Sequence, residues 1–271
     1  MSKTIIEKAG GWNRKDIIEV LRYRDLFYFL VWRDIKVLYA QTIMGFSWAI
    51  LQPLIQVVLF TIIFGKVANI PTDGIPYFLF STVAVIPWTY MSSAMSQSSM
   101  SLVSGQGMLG KVYFPRIIYP LTSILSKLMD FFISLLIVIA VLVYYKVTPT
   151  LNLIYLPLFF LFMIIVPLGV GLWLSSLAIR FRDVKFAMQF FIRMLMYSAP
   201  VIYAASSIPE EYKFLYSLNP LVSVIEGFRV CLLGGILDWG FILPGMVTAL
   251  IILVTGALYF KHTEHIFADV I

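Results

Sequence analysis

The chain has 271 residues, of which 61% are hydrophobic and 13% are charged, with 20 Lys and Arg against 14 Asp and Glu. A soluble domain typically carries about 25% charged residues, so the composition excludes a soluble enzyme, a disordered chain and a secreted disulfide-rich protein. The one cysteine, Cys231, cannot form an internal disulfide or a cysteine-rich metal site. The composition predicts an all-α, polytopic membrane protein.

Residues 1–45 are rich in charge and are predicted to form a cytoplasmic or interfacial segment, without a cleavable signal peptide. Within it, Ile17–Trp32 mixes apolar and charged residues in a pattern typical of an amphipathic helix at the membrane surface. Such a helix serves either as a simple membrane anchor or as a docking surface for a cytoplasmic partner. The pattern favours the two interpretations equally.

Six stretches are apolar enough to supply the roughly 20 residues that a membrane-spanning helix needs. They are Phe46–Phe64, Ile75–Met95, Leu121–Tyr145, Leu151–Ile179, Phe186–Tyr203 and Trp239–Phe260. The third contains Lys127 and Asp130, which we expect near the cytoplasmic boundary, and the fifth contains Arg193. Residues 1–271 are therefore predicted to form a single transmembrane domain, with a six-span bundle over 46–260 and a cytoplasmic tail over 261–271.

A seventh apolar region, Phe214–Leu237, is interrupted by Asn219-Pro220, by Glu226 and Arg229, and by Gly234-Gly235. Each apolar piece is too short to cross the membrane. The region is therefore predicted to form short re-entrant external helices before the last span, sheltered from lipid by the rest of the protein.

Basic residues indicate the orientation of these spans. Six spans place both termini on one side, and only Lys66, Lys146, Lys213 and Arg229 then fall on the other side. Because Lys and Arg accumulate on the cytoplasmic side of membrane proteins, both termini are predicted to be cytoplasmic. The excess positive charge follows from this topology and does not indicate nucleic acid as a partner.

The segment Gly105–Val112 matches the P-loop pattern except at its last position, where Val112 replaces the Mg²⁺-binding Ser or Thr. No strand precedes it, and Pro115 would block the helix that must follow. The segment is therefore predicted to be a loop without a nucleotide. The sequence also has no grouping typical of a catalytic or metal site and almost no intramembrane charge for ion coupling. Any uphill transport must then be powered by another polypeptide.

The stretch Arg33–Pro53 resembles the opening of ABC-2 type permeases, above all the membrane subunits that export O-antigen, teichoic acid or capsular polysaccharide. Further matches follow in order over nearly the whole chain: Lys111–Arg116, Arg180–Val184, Ser198–Tyr203, Asn219–Leu221 and Glu226–Arg229. The resemblance implies a non-catalytic, channel-forming subunit that moves lipid-linked polysaccharide across the bacterial cytoplasmic membrane. Export of a drug, a lipid or another small molecule is the alternative within the same family.

The resemblance further implies a homodimer with two copies of a separate ATP-binding subunit, which would hold the Mg-ATP, so no cofactor is expected in this chain. The loop Gly107–Arg116 would be the coupling helix that contacts this ATPase. Its candidate residues are Gly107, Lys111, Tyr113, Pro115 and Arg116. The alternative for this loop is an ordinary basic cytoplasmic connection.

Three further groups of residues are candidates for handling the cargo. Aromatic faces and amides suit sugars, and the candidates for a substrate path are Tyr39, Trp48, Gln52, Gln56, Trp88 and Tyr90. Cations suit a pyrophosphate head group, and the candidates are Arg33, Lys36, Arg180, Arg182 and Lys185. The candidates for an external gate are Asn219, Pro220, Glu226 and Arg229. The alternatives are an interfacial aromatic belt, topology alone, and a structural ion pair between Glu226 and Arg229.

Overall fold

A computed structural model describes residues 14–40, 42, 44–109 and 113–264. These residues form helices and the loops that connect them, without a strand. The first half contains α1 Arg14–Arg22, α2 Arg24–Tyr39, α3 Ser47–Phe60 with a π-helical continuation Thr61–Val67, α4 Tyr77–Ser104, α5 Gln106–Leu109 and α6 Ile118–Tyr144. The second half contains a 3-10 turn Leu151–Tyr155, α7 Leu156–Arg180, α8 Val184–Tyr197, a 3-10 turn Ala205–Ser207, α9 Glu210–Ser217, α10 Pro220–Leu233 and α11 Trp239–Thr263. The all-α prediction is confirmed for the described residues.

Five helical segments in the described residues are long and apolar enough to cross a membrane. They are Ser47–Val67, Tyr77–Met108, Ile118–Tyr144, Leu151–Arg180 and Trp239–Thr263. Each contains most of one predicted span. A lipid interior offers no partner for backbone N–H and C=O groups, so long apolar runs fold as helices that satisfy these groups internally. The chain is a multi-pass membrane protein.

The predicted span Phe186–Tyr203 differs from the other five. Its helix, α8, has 14 residues and is about 21 Å long, whereas the hydrocarbon core is about 30 Å thick. The helix ends at Tyr197, and the chain continues without helix through Tyr203. Near the end of this segment, the Ile202 carbonyl accepts a hydrogen bond of 2.7 Å from Tyr77 Oη at the start of α4. Six crossings with both termini inside stay a prediction.

The N-terminal segment also differs in detail from the sequence prediction. The predicted single helix over Ile17–Trp32 is broken at Tyr23, between α1 and α2. Leu30 is buried, whereas Ile18, Leu21 and other large apolar side chains of this segment are exposed. An exposed apolar face on a short charged helix is typical of helices that lie at a membrane surface.

The helix α4 lies at the centre of the bundle, where α3, α6, α7, α8 and α10 all pack against it. Small residues bring its neighbours close. A Cβ atom added at Gly171 of α7 would lie 2.7 Å from Ser98 Cβ of α4. On the other side of α7, a Cβ atom at Gly169 would lie 2.8 Å from the Leu253 backbone nitrogen of α11. Glycines of this kind allow membrane helices to approach backbone to backbone.

The buried apolar residues form two clusters. The larger one fills the bundle around α4, whereas a smaller cluster joins α2, the chain before α6, and the ends of α4, α7 and α11. Phe114 lies in the smaller cluster with Leu30, Leu102 and Phe260. The candidate coupling segment is thus packed against several helices at one end of the bundle.

Candidate substrate and coupling sites

Helix α6 carries a pair of charged residues within its length. Asp130 accepts a hydrogen bond from Tyr39 Oη at the end of α2 and another of 3.0 Å from Lys127 Nζ. Burial raises the pKa of Tyr39, and Asp130 raises it further. The phenol therefore stays protonated and donates a hydrogen bond to the carboxylate. One turn further on, Ser134 Oγ donates to the Ala49 carbonyl of α3 at 2.7 Å. These bonds join α2, α3 and α6.

The pair lies well inside helix α6, and its position relative to the cytoplasmic boundary stays a prediction. Helix α6 begins at Ile118, three residues before the predicted span. Asp130 therefore lies about 18 Å along the helix from its first residue, close to the middle rather than at one end. The sequence marks Lys127 and Asp130 as unusual, because charges within a spanning helix are rare, but it does not show their contact with Tyr39.

A cleft of about 310 Å³ opens beside this pair, between α2, α3 and α6. Its lining consists of Leu38, Tyr39, Trp48, Ala49, Gln52, Lys127 and Asp130, and we call it the α3–α6 cleft. The structure therefore brings together three residues predicted to contact the substrate, Tyr39, Trp48 and Gln52. Trp48 is 44% exposed, so part of its ring is free for contact with a ligand.

The other three candidates for the substrate path lie elsewhere. Trp88 is in the core with an exposure of 4%, because helices surround α4 and leave it little open surface. Tyr90 is also buried, donates a hydrogen bond of 3.4 Å to the Ile124 carbonyl, and lines a small cavity of about 60 Å³ behind the α3–α6 cleft. Gln56 donates to Met196 Sδ of α8 at 3.6 Å. Trp88 is therefore a core residue within the chain, and its contact with the substrate stays a prediction.

The cations predicted to meet a head group lie on two separate elements. Arg33 pairs with Asp34 at 2.8 Å, and Lys36 lies 5.4 Å from the centre of the Trp32 ring, all on α2. Arg33 also lines a second cleft, of about 290 Å³, together with Gly107 and the polar end of α4. The remaining cations are exposed around the turn between α7 and α8: Arg180, Arg182 and Lys185.

The candidate coupling segment combines anchored and exposed side chains. Gly107 lies in the short helix α5, Lys111 lies outside the described residues, and the chain around Pro115 has no helix until α6 begins. Phe114 is buried, whereas Tyr113 is 79% exposed. Arg116 donates a hydrogen bond to the Glu264 carbonyl just after α11.

The same end of the bundle carries an ionic link between its first and last described helices. Lys261 of α11 forms ion pairs with Asp16 of α1 at 3.0 Å and with Glu264 at 3.2 Å. Because Arg116 bonds to the same Glu264, this link reaches the coupling segment. The contacts of Lys261 with Asp16 and of Arg116 with Glu264 join residues far apart in the chain, so the sequence could not predict them. The Lys261–Glu264 pair, in contrast, has an i, i+3 spacing.

The candidate gate residue Arg229 has a buried guanidinium group. This group forms an ion pair with Glu226, donates to the Pro200 carbonyl at 2.6 Å, and lies 3.8 Å from the centre of the Phe80 ring. Its side chain is 7% exposed, so the cluster ties α10 to α4 and to the chain after α8. The role of these residues as a gate stays a prediction.

Asn219 and Pro220 form the start of α10. Asn219 Oδ1 accepts a hydrogen bond of 3.0 Å from the Leu221 backbone N–H, and its amide donates to the Ser198 carbonyl at 3.0 Å. Asn at the N-cap followed by Pro is the favoured start of a helix. Within the described ranges, three or more His, Cys, Asp or Glu side chains nowhere converge on a point that could hold a metal ion.

Several long apolar helices around a hydroxyl-rich central helix, with polar clefts between them, define a polytopic helical membrane protein. Residues 25–233 match the model of the ABC-2 type transporter family. The match covers more than half of the chain, which therefore belongs to this family.

The chain is similar to named proteins over most of its length. It is 27% identical over 248 residues to the O-antigen export system permease protein RfbA of Klebsiella pneumoniae, covering 91% of this chain and 95% of that protein. It is 25% identical over 213 residues to RfbA of Myxococcus xanthus, covering 78% and 81%. It is 25% identical over 242 residues to the polysialic acid transport protein KpsM of Escherichia coli, covering 86% and 91%.

Proposed function

We propose that this chain is the channel-forming permease subunit of an exporter that moves lipid-linked polysaccharide across the bacterial inner membrane. The main support is its similarity, over most of both lengths, to permease proteins named for O-antigen export and to a polysialic acid transport protein. The α3–α6 cleft is consistent with this cargo, because it presents an indole ring, an amide and an ion pair at one opening.

Export would be driven by a separate ATP-binding subunit that holds the Mg-ATP. Its docking surface would include the segment around Tyr113, which projects from an otherwise packed region. Phe114 and Arg116 anchor this segment to the ends of α2, α4 and α11. A displacement of this segment by the ATP-binding subunit would then be transmitted to several helices together, because close-packed elements transmit strain.

Two copies of the chain would assemble with two ATP-binding subunits. Helix α3 and its continuation expose large apolar side chains, among them Ile55, Leu59 and Ile62. Six helices packed at contact distance leave little free space along their axis. A pore wide enough for a sugar chain forms more easily between two bundles than inside one.

The proposal can be tested in a Klebsiella pneumoniae strain that lacks its O-antigen permease. The chain and a candidate ATP-binding subunit from the same genome are expressed together, and surface polysaccharide and lipid-linked intermediates are measured. Restored surface polysaccharide with fewer intermediates is the expected result. Intermediates that stay at the level of the deletion strain, together with new resistance to a drug, would instead indicate a small-molecule exporter.

A second experiment tests whether ATP hydrolysis requires the separate ATP-binding subunit. The purified chain in lipid nanodiscs is expected to hydrolyse no ATP, and activity is expected only after addition of the ATP-binding subunit. Tyr113→Ala should lower polysaccharide export at least fivefold without loss of membrane insertion, whereas Tyr212→Ala, an exposed tyrosine on α9, should not. Hydrolysis by the chain alone would contradict the two-subunit proposal.

A further inference from the structure

The Lys127–Asp130 pair stands out among the ion pairs of the described residues, because it lies in the interior of a long apolar helix. The others lie in short helices or at a helix end. The side chains of Lys127 and Asp130 are 14% and 27% exposed, so both are partly withdrawn from solvent. Charged residues within spanning helices are energetically unfavourable and mark functional sites by default.

The Lys127–Asp130 pair has hydrogen-bonding capacity that protein groups in the described residues do not use. The Lys127 ammonium group has three donors, and its bond to Asp130 uses one of them. Each Asp130 oxygen accepts one hydrogen bond here, from Tyr39 and from Lys127, and a carboxylate has about four acceptor positions. Unused donors and acceptors therefore face the α3–α6 cleft.

Two neutral polar groups on α3 add to this unused capacity. Neither the Gln52 amide nor the Trp48 indole N–H forms a hydrogen bond with any group in the described part of the chain. Both side chains line the cleft with the ion pair and are exposed. The opening thus presents donors, acceptors and an aromatic face within one space.

The charge of the cleft selects among ligands. Lys127 is already neutralised by Asp130, so a phosphate would meet a carboxylate as well as an ammonium group, and the pair has no net charge for an anion. A neutral ligand with many hydroxyl groups can use both partners at once, as well as the amide. The apolar C–H face of a sugar ring can pack on the indole.

We propose that the α3–α6 cleft binds one neutral pyranose ring of the exported chain, through Lys127, Asp130, Gln52 and the Trp48 ring. The volume of about 310 Å³ lies at the lower end of ligand pockets, about 300–1,000 Å³, which suits one ring rather than an oligomer. The proposal rests on the function proposed above and names the part of the cargo that the cleft recognises.

Saturation-transfer NMR on the full-length chain in nanodiscs tests this binding. The probes are the methyl glycosides of glucose, galactose, mannose and rhamnose, each with and without inorganic pyrophosphate. Transfer to the ring protons of at least one glycoside is expected, without displacement by pyrophosphate. Absence of transfer to all four, or displacement by pyrophosphate at equal concentration, would overturn the proposal.

The variants separate recognition from packing. Removing both charges in Lys127→Met/Asp130→Leu avoids an unpaired buried charge and should weaken glycoside binding at least tenfold. Gln52→Leu changes an exposed residue, keeps the test valid if the double variant fails to fold, and should also weaken binding. Gln189→Leu changes an exposed glutamine on α8, outside the cleft, and is the matched control, which should bind like the wild type. Wild-type binding in the folded double variant would show that the pair only holds helices together. Wild-type binding in Gln52→Leu would overturn the proposed site, because this residue is one of its ligands.

Export measured on the wild type separates this inference from the proposed function. Restored surface polysaccharide without glycoside binding would refute the binding site alone. Glycoside binding without restored export would refute the proposed function and leave the site in place.

Discussion

Helices α4 and α3 differ in how much of their surface is covered by the rest of the protein. In the apolar stretch of the α4 segment 78% of the residues are buried within the chain, against 11% for the α3 segment, yet α4 is the less hydrophobic of the two. In a soluble protein the more polar helix would face the solvent. Here the polar helix is inside, because lipid cannot pair with its hydroxyl groups and protein can.

The hydroxyl groups of α4 show how this burial is tolerated. Thr82 Oγ1 donates to the Phe78 carbonyl at 2.6 Å, and Ser99 Oγ donates to the Met95 carbonyl at 2.8 Å. Each bond lies within one turn of the helix, so the side chain satisfies itself without a partner from another helix. Small side chains of this kind also let neighbouring helices approach closely. Helix α3 instead presents large apolar side chains outward, toward lipid or toward a second copy.

The largest expected effect on stability concerns the buried guanidinium of Arg229, which packs against Phe80 of α4. Arg229→Met removes the partner of Glu226 and leaves a buried carboxylate unpaired, which costs about 3–5 kcal/mol. Equilibrium unfolding in mixed micelles should show this loss. Arg229→Met/Glu226→Leu should recover most of it, and a single variant as stable as the wild type would mean that the cluster does not hold α10 to α4.

A second prediction concerns the close contact between α4 and α7. Gly171→Leu would force a side chain into the space that the Ser98 side chain occupies, and overpacking of this kind costs about 1–3 kcal/mol. The thermal unfolding midpoint in detergent should fall clearly. Val58→Phe, which also adds volume but on the exposed face of α3, is the control and should leave the midpoint nearly unchanged. An equal fall of the unfolding midpoint in both variants would mean that α4 is not more tightly packed against its neighbours than α3.

The exposed face of α3 gives a third prediction, which asks whether lipid or a second copy covers it. Ile55→Cys, treated in membranes with a bifunctional thiol reagent, should give several times more cross-linked dimer than Val254→Cys on the exposed face of α11. The native Cys231 is buried and should contribute little. Equal and low yields at the two positions would leave α3 facing lipid and would contradict the proposed dimer surface.

The smallest effect on stability is expected at Trp48, on α3. Because the ring is partly exposed, Trp48→Ala should change the free energy of unfolding by less than about 1 kcal/mol, while polysaccharide export falls severalfold. Trp88→Ala, in the core around α4, is the comparison, since loss of a buried Trp costs about 3–5 kcal/mol. If Trp48→Ala destabilises the protein as much as Trp88→Ala, then Trp48 is a packing residue.

The sequence predicted local features well and distant contacts poorly. Pairs that lie on one helix were predictable, because an i, i+3 spacing places Glu226 beside Arg229 on any α-helix. The start of α10 at Asn219-Pro220 was also predictable, because Asn at the N-cap and Pro at the first helical position favour a helix start. The shorter helix α8 was not, since an apolar run does not show that the chain leaves the helix after Tyr197.

The substrate candidates show the same limit. Aromatic composition selected Trp48 and Trp88 equally, because a single sequence does not show which face of a helix its neighbours cover. Burial of α4 by five other helices separates the two residues. The contact between Tyr39 and Asp130 joins residues 91 positions apart, which no local pattern can predict.

The sequence by itself therefore determined that this protein lies in the membrane as a set of helices. The reason is that an apolar chain in lipid must satisfy its own backbone hydrogen bonds, and this requirement acts on each segment separately. Only the tertiary structure decided which helix became the buried centre, where the charged pair of α6 lies, and which aromatic side chains face a cleft. Those outcomes depend on how the surfaces of several helices fit together, and this fit is a property of all of them jointly.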